Sequence, residues 1–425
     1  MITKDSFINY FRSGIKETND CGIGIEHEKF VFLDNKRADY QSILNLFEKL
    51  YEFGWEPVKE GTNIIALKKG NKNITLEPGN QIELSGEKLK SIHQTCGESQ
   101  EYIFELNQSL KKLNLNLISS GFDPISKIEE VPSNPKNRYD LMTKIMPLFG
   151  KLSLDMMYRT CGTQVNIDYT SEKDFSKKFF VVNRLVPITI ALFANSGIVE
   201  KNKSGYLSYR SYAWQNTYRG GLPKIFLENM DFEKYADFSL NYPMLFLKRN
   251  DNYIDAKNKT FQNFIDGDIE KASPNEEDVA DHLSTIFTEN RLKKYIEIRS
   301  MDACGWDCLC AGPAFFIGLL YGKLDEVFDV VKRWNIDEII SAYKESPKKG
   351  LKTILGKKSI LDWSKDLFEI SKQGLVNRNE LNSKKQNEVK FLDHIKTIID
   401  TNSTNAEAIM AQYQKDKNFF NINEK

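Results

Sequence analysis

A chain of 425 residues with 40% hydrophobic and 12% aromatic side chains has enough apolar material for a packed core, which excludes wholesale disorder. Its 59 lysines and arginines cancel 59 aspartates and glutamates, so the basic excess of a dedicated nucleic-acid binder is missing and no nucleic-acid partner is expected. The best apolar run, Cys310 to Tyr321, is about twelve residues against the roughly twenty a bilayer needs, and no membrane partner is expected either.

In chain order, the first seventeen residues (MITKDSFINYFRSGIKE) have no basic head followed by an apolar run, and read as an amphipathic helix of the mature protein. Ile23–Phe32 (IGIEHEKFVF) reads as a strand with Gly24, Glu26, Glu28 and Phe30 on one side. Two carboxylates on one face lie about 6–7 Å apart along a strand. Burying both unpaired would cost several kcal/mol each, so this face meets water, cations or metal. A solvated edge strand satisfies the same pattern. Ser42 to Phe53 has helical spacing that stops at Gly54, and short strands follow at Ile64–Leu67 and Ile74–Leu76. In Leu76–Ser85, Glu77 precedes a Pro-Gly turn, and Gln81, Glu83 and Ser85 share one face.

Lys88 to Leu113 reads as one long helix. Thr160–Asp168 reads as a strand with Gln164, Asn166 and Asp168 on its polar face, and a helix opens at Ser171 and bends at Pro187. In Arg291–Arg299 (RLKKYIEIR), Tyr295, Glu297 and Arg299 share a face opposite Leu292, Ile296 and Ile298. This acid–guanidinium pair fits a structural salt bridge, or equally a metal ligand beside a phosphate clamp. From Leu324 onward the chain is helical and highly charged. Strands and helices mix without regular βαβ alternation, which favours α+β with an antiparallel sheet. Several amphipathic strands thus carry carboxylates or amides on their polar faces, hard oxygen donors of the kind that suit Mg²⁺. No phosphate-binding G-x-x-x-x-G-K-[ST] loop occurs, so any bound ATP is held by metal ions and arginines on a sheet.

Taken in order, GIEHEKFVF, LEPGNQIELSGEKLKSIHQTC, LDMMYRTCGTQVNIDY, ALFANS, SYRSYAW and RLKKYIEIRSMDACGW resemble the glutamate–cysteine ligase family of plants and proteobacteria, from about Gly22 to Tyr321. The resemblance implies a curved, mostly antiparallel sheet of the glutamine synthetase-like type with surrounding helices. It implies one catalytic domain over 1–425, with core motifs in 22–321 and a helical C-terminal region, 324–425, packed on them. The implied reaction joins L-glutamate, through γ-glutamyl phosphate, to the amine of L-cysteine at the expense of ATP, the first step of glutathione biosynthesis. A γ-glutamyl ligase with another acceptor amine, or an inactive nucleotide- or thiol-sensing relative, are the alternatives.

The resemblance also assigns roles. Glu26, Glu28, Glu77, Glu83 and Glu297 surround Mg²⁺; Glu297 and Arg299 are catalytic; Arg159, Gln164, Asn166, Arg210 and Arg219 hold substrates. The expected partners are L-glutamate, L-cysteine and ATP, on a monomer or homodimer. Cys96 and Cys310 fall where plant relatives have a cysteine pair, and two separate buried thiols are the favoured reading. Cys304, Cys308 and Cys310 lack a fourth ligand at zinc-like spacing. Six sparse cysteines suggest a reducing compartment, and no N-terminal extension of the kind a plastid precursor carries is apparent. A cytoplasmic bacterial enzyme is the expectation.

Overall fold

A computed structural model describes residues 1–417 and 419, apart from 218, 250, 251, 270 and 271. Ten strands form one sheet: β1 (Ile23–Leu33), β2 (Lys36–Arg37), β3 (Glu56–Glu60), β4 (Asn63–Lys69), β5 (Lys72–Leu76), β6 (Ile82–Ser85), β7 (Asn116–Ile118), β8 (Gly162–Ile167), β9 (Asn290–Leu292) and β10 (Ile296–Asp302). Their order is β9-β10-β8-β1-β6-β5-β4-β3, with β2 and β7 on the far end of β1. Every pair is antiparallel. With helices around this sheet the fold is α+β, as the mixed pattern of strands and helices implies.

Period-two alternation decides which face is sealed. On β1 the odd residues Ile23, Ile25 and His27 are buried, while Gly24, Glu26 and Glu28 are only half-buried. Ile25 pairs with Val165, and Ile296 with Ile167, so each strand adds its apolar residues to the same side. That side packs into a cluster shared with Val327, Ile339, Leu367 and Ile395 of the helices Leu324–Val331, Ile336–Lys349, Ile360–Arg378 and Asp393–Thr401. A second cluster sets Leu67, Ile74 and Leu84 against Phe47 and Leu106 of the helices Tyr40–Leu50 and Ile92–Leu113. With its back covered by helices, the sheet keeps its polar face for a ligand.

Local chemistry sets the boundaries. The long helix starts at Ile92, not Lys88, because Ser91 accepts from Gln94 N at 3.2 Å and completes a capping box. Ser171 caps Glu172–Arg184 as expected, and Pro187 falls at the start of a second helix, Val186–Leu192. Arg291–Arg299 departs from a single strand. It folds as the β9–β10 hairpin, turning through Lys293–Tyr295 and pairing Arg291 with Glu297.

The cysteine reading is corrected. Cys96 and Cys310 form a disulfide, with Cα atoms 6.0 Å apart and 214 residues between them in sequence. Cys304 and Cys308 form another, while Cys21 and Cys161 are free. A low cysteine count does not reveal which helices meet in space. Among the described residues no single helix is long and apolar enough to cross a membrane.

Candidate active site

The polar face of the sheet floors a cavity of about 670 Å³ lined by Glu26, Glu28, Glu77, Glu83, Gln164, Asn166, Glu297 and Arg299. Register brings them together. Glu28 lies directly opposite Glu83 on β6, Glu26 opposite Gln164 on β8, and Asn166 opposite Glu297 on β10. Glu77 sits in the turn between β5 and β6, where its carboxylate accepts from Tyr139 Oη at 3.3 Å.

Glu28 accepts from Gly162 N at 2.7 Å and from Gln164 Nε2 at 3.0 Å. Glu83 accepts from Thr75 Oγ1 at 2.9 Å and from Gln164 Nε2 at 3.3 Å. Asn166 Nδ2 donates to Glu26 at 2.7 Å, leaving its own oxygen buried without a partner. Burial, with Glu77 adding to it, pushes the Glu28 carboxyl up to about 7 against the pull of Arg210. Burial and then Glu26, Glu77 and Glu28 hold Glu83 well above the ordinary carboxylate range. These carboxyls crowd one another and, among the described residues, form no ion pair, so the donor set suits a hard, oxygen-seeking ion. Among the described residues no three acidic, histidine or cysteine side chains gather closely enough to hold a metal by themselves. Water and ligand oxygens must complete any such site.

The other flank is cationic. Arg291 forks onto Glu297, with Nε 2.5 Å from Oε2 and Nη2 3.0 Å from Oε1. Arg299 Nη1 donates to Glu297 Oε1 at 3.1 Å, and Lys293 Nζ stands 3.7 Å from Oε2. Burial alone would raise the Glu297 carboxyl, but Arg291, Lys293 and Arg299 outweigh it and hold the group ionised, well below its usual range.

Three of the expected substrate-holding arginines do not line the cavity. Arg159 ends the helix Ser153–Arg159 and so turns away from β8; it pairs with Asp155 at 2.8 Å and Glu200 at 3.1 Å. Arg219 is buried between loops, donating to Pro243 O at 2.6 Å and Thr285 O at 3.1 Å. Arg210 lies next to the site, donating to Arg299 O at 2.7 Å and stacking 5.2 Å from the Trp214 ring, with Nε and Nη1 buried and unpartnered. His27, on the back of β1, faces Ser99 Oγ at 3.2 Å. Burial first, and Lys29 second, pushes its pKa down to about 3.

Sequence reasoning missed other lining residues. Arg291 and Lys293 stand inside the quoted RLKKYIEIR motif, and recognising its two lysines as a turn reveals both. Arg138 carries a buried, unpartnered Nε and lies 4.8 Å from the Tyr139 ring; with Met142, Met156, Trp214, Phe246 and Phe287 it lines the apolar end of the cavity. Met156 and Trp214 fall inside quoted motifs, but no motif or periodicity marks the stretch around Arg138.

The model of glutamate–cysteine ligase family 2 (GCS2) matches residues 22–421. The chloroplastic glutamate–cysteine ligases of Brassica juncea and Arabidopsis thaliana are 39% and 38% identical over 423 residues, 97% of this chain and 81% and 80% of theirs. The glutamate–cysteine ligase of Francisella tularensis, solved in complex with AMP, shares the fold, with a TM-score of 0.59 over 96% of this chain and 87% of that one at 15% identity. The architecture is thus that of the glutamine synthetase-like ligases. The chain belongs to glutamate–cysteine ligase family 2, and it is an ATP-dependent ligase of glutathione biosynthesis. The cytoplasmic expectation is overturned by these relatives, which are chloroplastic.

Proposed function

We propose that the cavity on the polar face is where this chain joins the γ-carboxyl of L-glutamate to the amine of L-cysteine, with Mg²⁺ and the phosphates of ATP lying over the acid-lined strands. A carboxylate oxygen is a poor leaving group. Transfer of the terminal phosphoryl group of ATP to the γ-carboxylate turns it into phosphate, and ADP departs. The cysteine amine then attacks the acyl carbon, the C–N bond forms, and phosphate leaves with the carboxylate oxygen it took. Positioning and charge neutralisation carry most of such a reaction, and no side-chain nucleophile is required.

Each flank has its task. Glu26, Glu28 and Glu83, with Glu77 at the edge and the open oxygen of Asn166 beside them, are the groups that would hold Mg²⁺. When bound, Mg²⁺ neutralises phosphate oxygens that the protein's cations do not reach. Glu297, kept ionised by Arg291, holds Arg299 in place, and the planar guanidinium of Arg299 forks onto the transferred phosphoryl group. Arg138 at the cavity's apolar end, and Arg210 just beside the cavity, each with an unpartnered buried nitrogen, are the groups that would take substrate carboxylates. Arg159 and Arg219 keep no substrate role in this reading.

The observation that carries the proposal is the register. Three strands deliver carboxylates from 26, 28, 83 and 297 to one cavity, whose cations gather on the flank of Glu297. Incubation with glutamate, cysteine and Mg·ATP should yield ADP and γ-glutamylcysteine in equal amounts, identified by mass spectrometry. ADP formation independent of cysteine, or a different amide product, would contradict it. The chloroplastic relatives point to a plastid as the location, which fractionation of a cell expressing the tagged chain tests.

A further inference from the structure

Among the described residues, Gln164 is the side chain whose hydrogen bonds reach both flanks of the cavity. Its carboxamide oxygen accepts from Arg299 Nη1 at 2.8 Å. Its nitrogen donates to Glu28 Oε1 at 3.0 Å and to Glu83 Oε1 at 3.3 Å. An amide nitrogen has two hydrogens, and here both are spent on carboxylates. The orientation is fixed by chemistry: turned over, the group would present hydrogens to a guanidinium, which can only donate. Gln164 is 4% exposed, so neither flank can exchange this partner freely for water. Asn166, two residues on along the same face, differs. Its nitrogen serves Glu26 alone and its oxygen has no partner.

We propose that Gln164 is a positioning residue and not a substrate ligand: a two-sided amide that holds Glu28 and Glu83 together on one side and Arg299 in place on the other. This rests on the functional reading above and revises within it the role that the family resemblance gives Gln164. The hydrogen bonds form one line across the sheet, from Arg291 through Glu297, Arg299 and Gln164 to Glu28 and Glu83. Cutting it at Gln164 separates the cation that meets the phosphate from the acids that would hold the metal. Without the shared donor the two facing carboxylates repel, and Arg299 loses its link to β8.

The test uses two variants of the full chain. Gln164→Met removes the hydrogen bonds at nearly constant volume. Gln164→Glu keeps an acceptor for Arg299 but sets a third anion against Glu28 and Glu83. For Gln164→Met the expectation is a kcat lowered at least about thirtyfold, with the KM values for glutamate and cysteine within about threefold of the parent. In the resting protein without nucleotide, the thermal shift produced by Mg²⁺ alone should need several-fold more metal. Gln164→Glu should be the less active of the two.

A tenfold rise in the KM for glutamate or cysteine at unchanged kcat would overturn the proposal and restore a substrate contact. An unaltered Mg²⁺ shift, or a Gln164→Glu variant as active as Gln164→Met, would overturn it as well. If Gln164→Met does not fold, Gln164→Glu decides alone by the same KM, kcat and Mg²⁺ readouts. A parent protein that makes no γ-glutamylcysteine would instead defeat the functional reading, and the Mg²⁺ shifts would still judge the link.

Discussion

At the scale of single residues, Glu297 and Glu28 show how one functional group is driven in opposite directions. Glu297 is buried and Glu28 half-buried, but Glu297 meets three cations and stays charged, while desolvation, Glu77 and another acid in register push Glu28 up to about 7. Glu297→Gln should therefore reduce turnover by about two orders of magnitude or more, measured as ADP release, because it leaves Arg291, Lys293 and Arg299 without their shared anion. Near-normal turnover would remove Glu297 from the machinery. Arg299→Lys keeps the charge but not the fork, and should cost at least about tenfold, or about 1.4 kcal/mol of transition-state stabilisation. For Glu28 the folded pKa lies above the unfolded one. The protonated form stabilises the metal-free fold fully below about pH 4.5, and that stability is lost as pH rises through about 7. His27 and His282, both held near 3 by burial, are neutral in the fold above about pH 4 and in the unfolded chain only well above pH 6.5. In chelator, then, the Tm of the parent relative to that of Glu28→Gln should fall between about pH 5 and 7, the histidines contributing equally to both. A native profile parallel to the variant's would contradict the account.

At the scale of elements, what the sequence made readable is the alternation within each strand, and what it hid is how strands and loops close on one another. The faces of Ile23–Phe32 and Thr160–Asp168 follow from period-two patterning, and both strands place Glu26, Glu28, Gln164 and Asn166 as that patterning requires. The β9–β10 turn escaped because its lysines interrupt no hydrophobic alternation: Leu292 and Ile296 share the buried face whether the chain turns or runs straight. Arg138 escaped because its role depends on a loop packing over the end of the sheet, which no local pattern encodes. Two glycines test the packing of these elements. A methyl group at Gly162 would meet Arg210 Nη2 at 2.8 Å, so Gly162→Ala should disturb the arginine beneath Arg299 and lower turnover. At Gly97, within the long helix, nothing lies within 4 Å, so Gly97→Ala should leave turnover intact and raise stability by about 0.5–1 kcal/mol. Equal effects of the two substitutions on turnover would show that the contact at Gly162 is immaterial.

At the scale of the whole molecule, the helices of the C-terminal part cover the back of the sheet whose front carries the chemistry, and the Cys96–Cys310 disulfide joins regions 214 residues apart. In the chain-entropy view a long closed loop stabilises far more than a short one, so Cys96→Ser should lower Tm under non-reducing conditions by more than Cys304→Ser, whose bridge spans four positions. The reverse order would mean that local strain, not loop length, governs these bridges. The central claim remains that distant strands gather their acids around a metal-bound nucleotide. Crystals soaked with Mn²⁺ and a non-hydrolysable ATP analogue would test it most directly, by anomalous scattering. The account predicts metal about 2.1 Å from oxygens of Glu28 or Glu83, with the terminal phosphate beside Arg299. Metal and phosphates found away from the polar face of β1, β6 and β8 would contradict it.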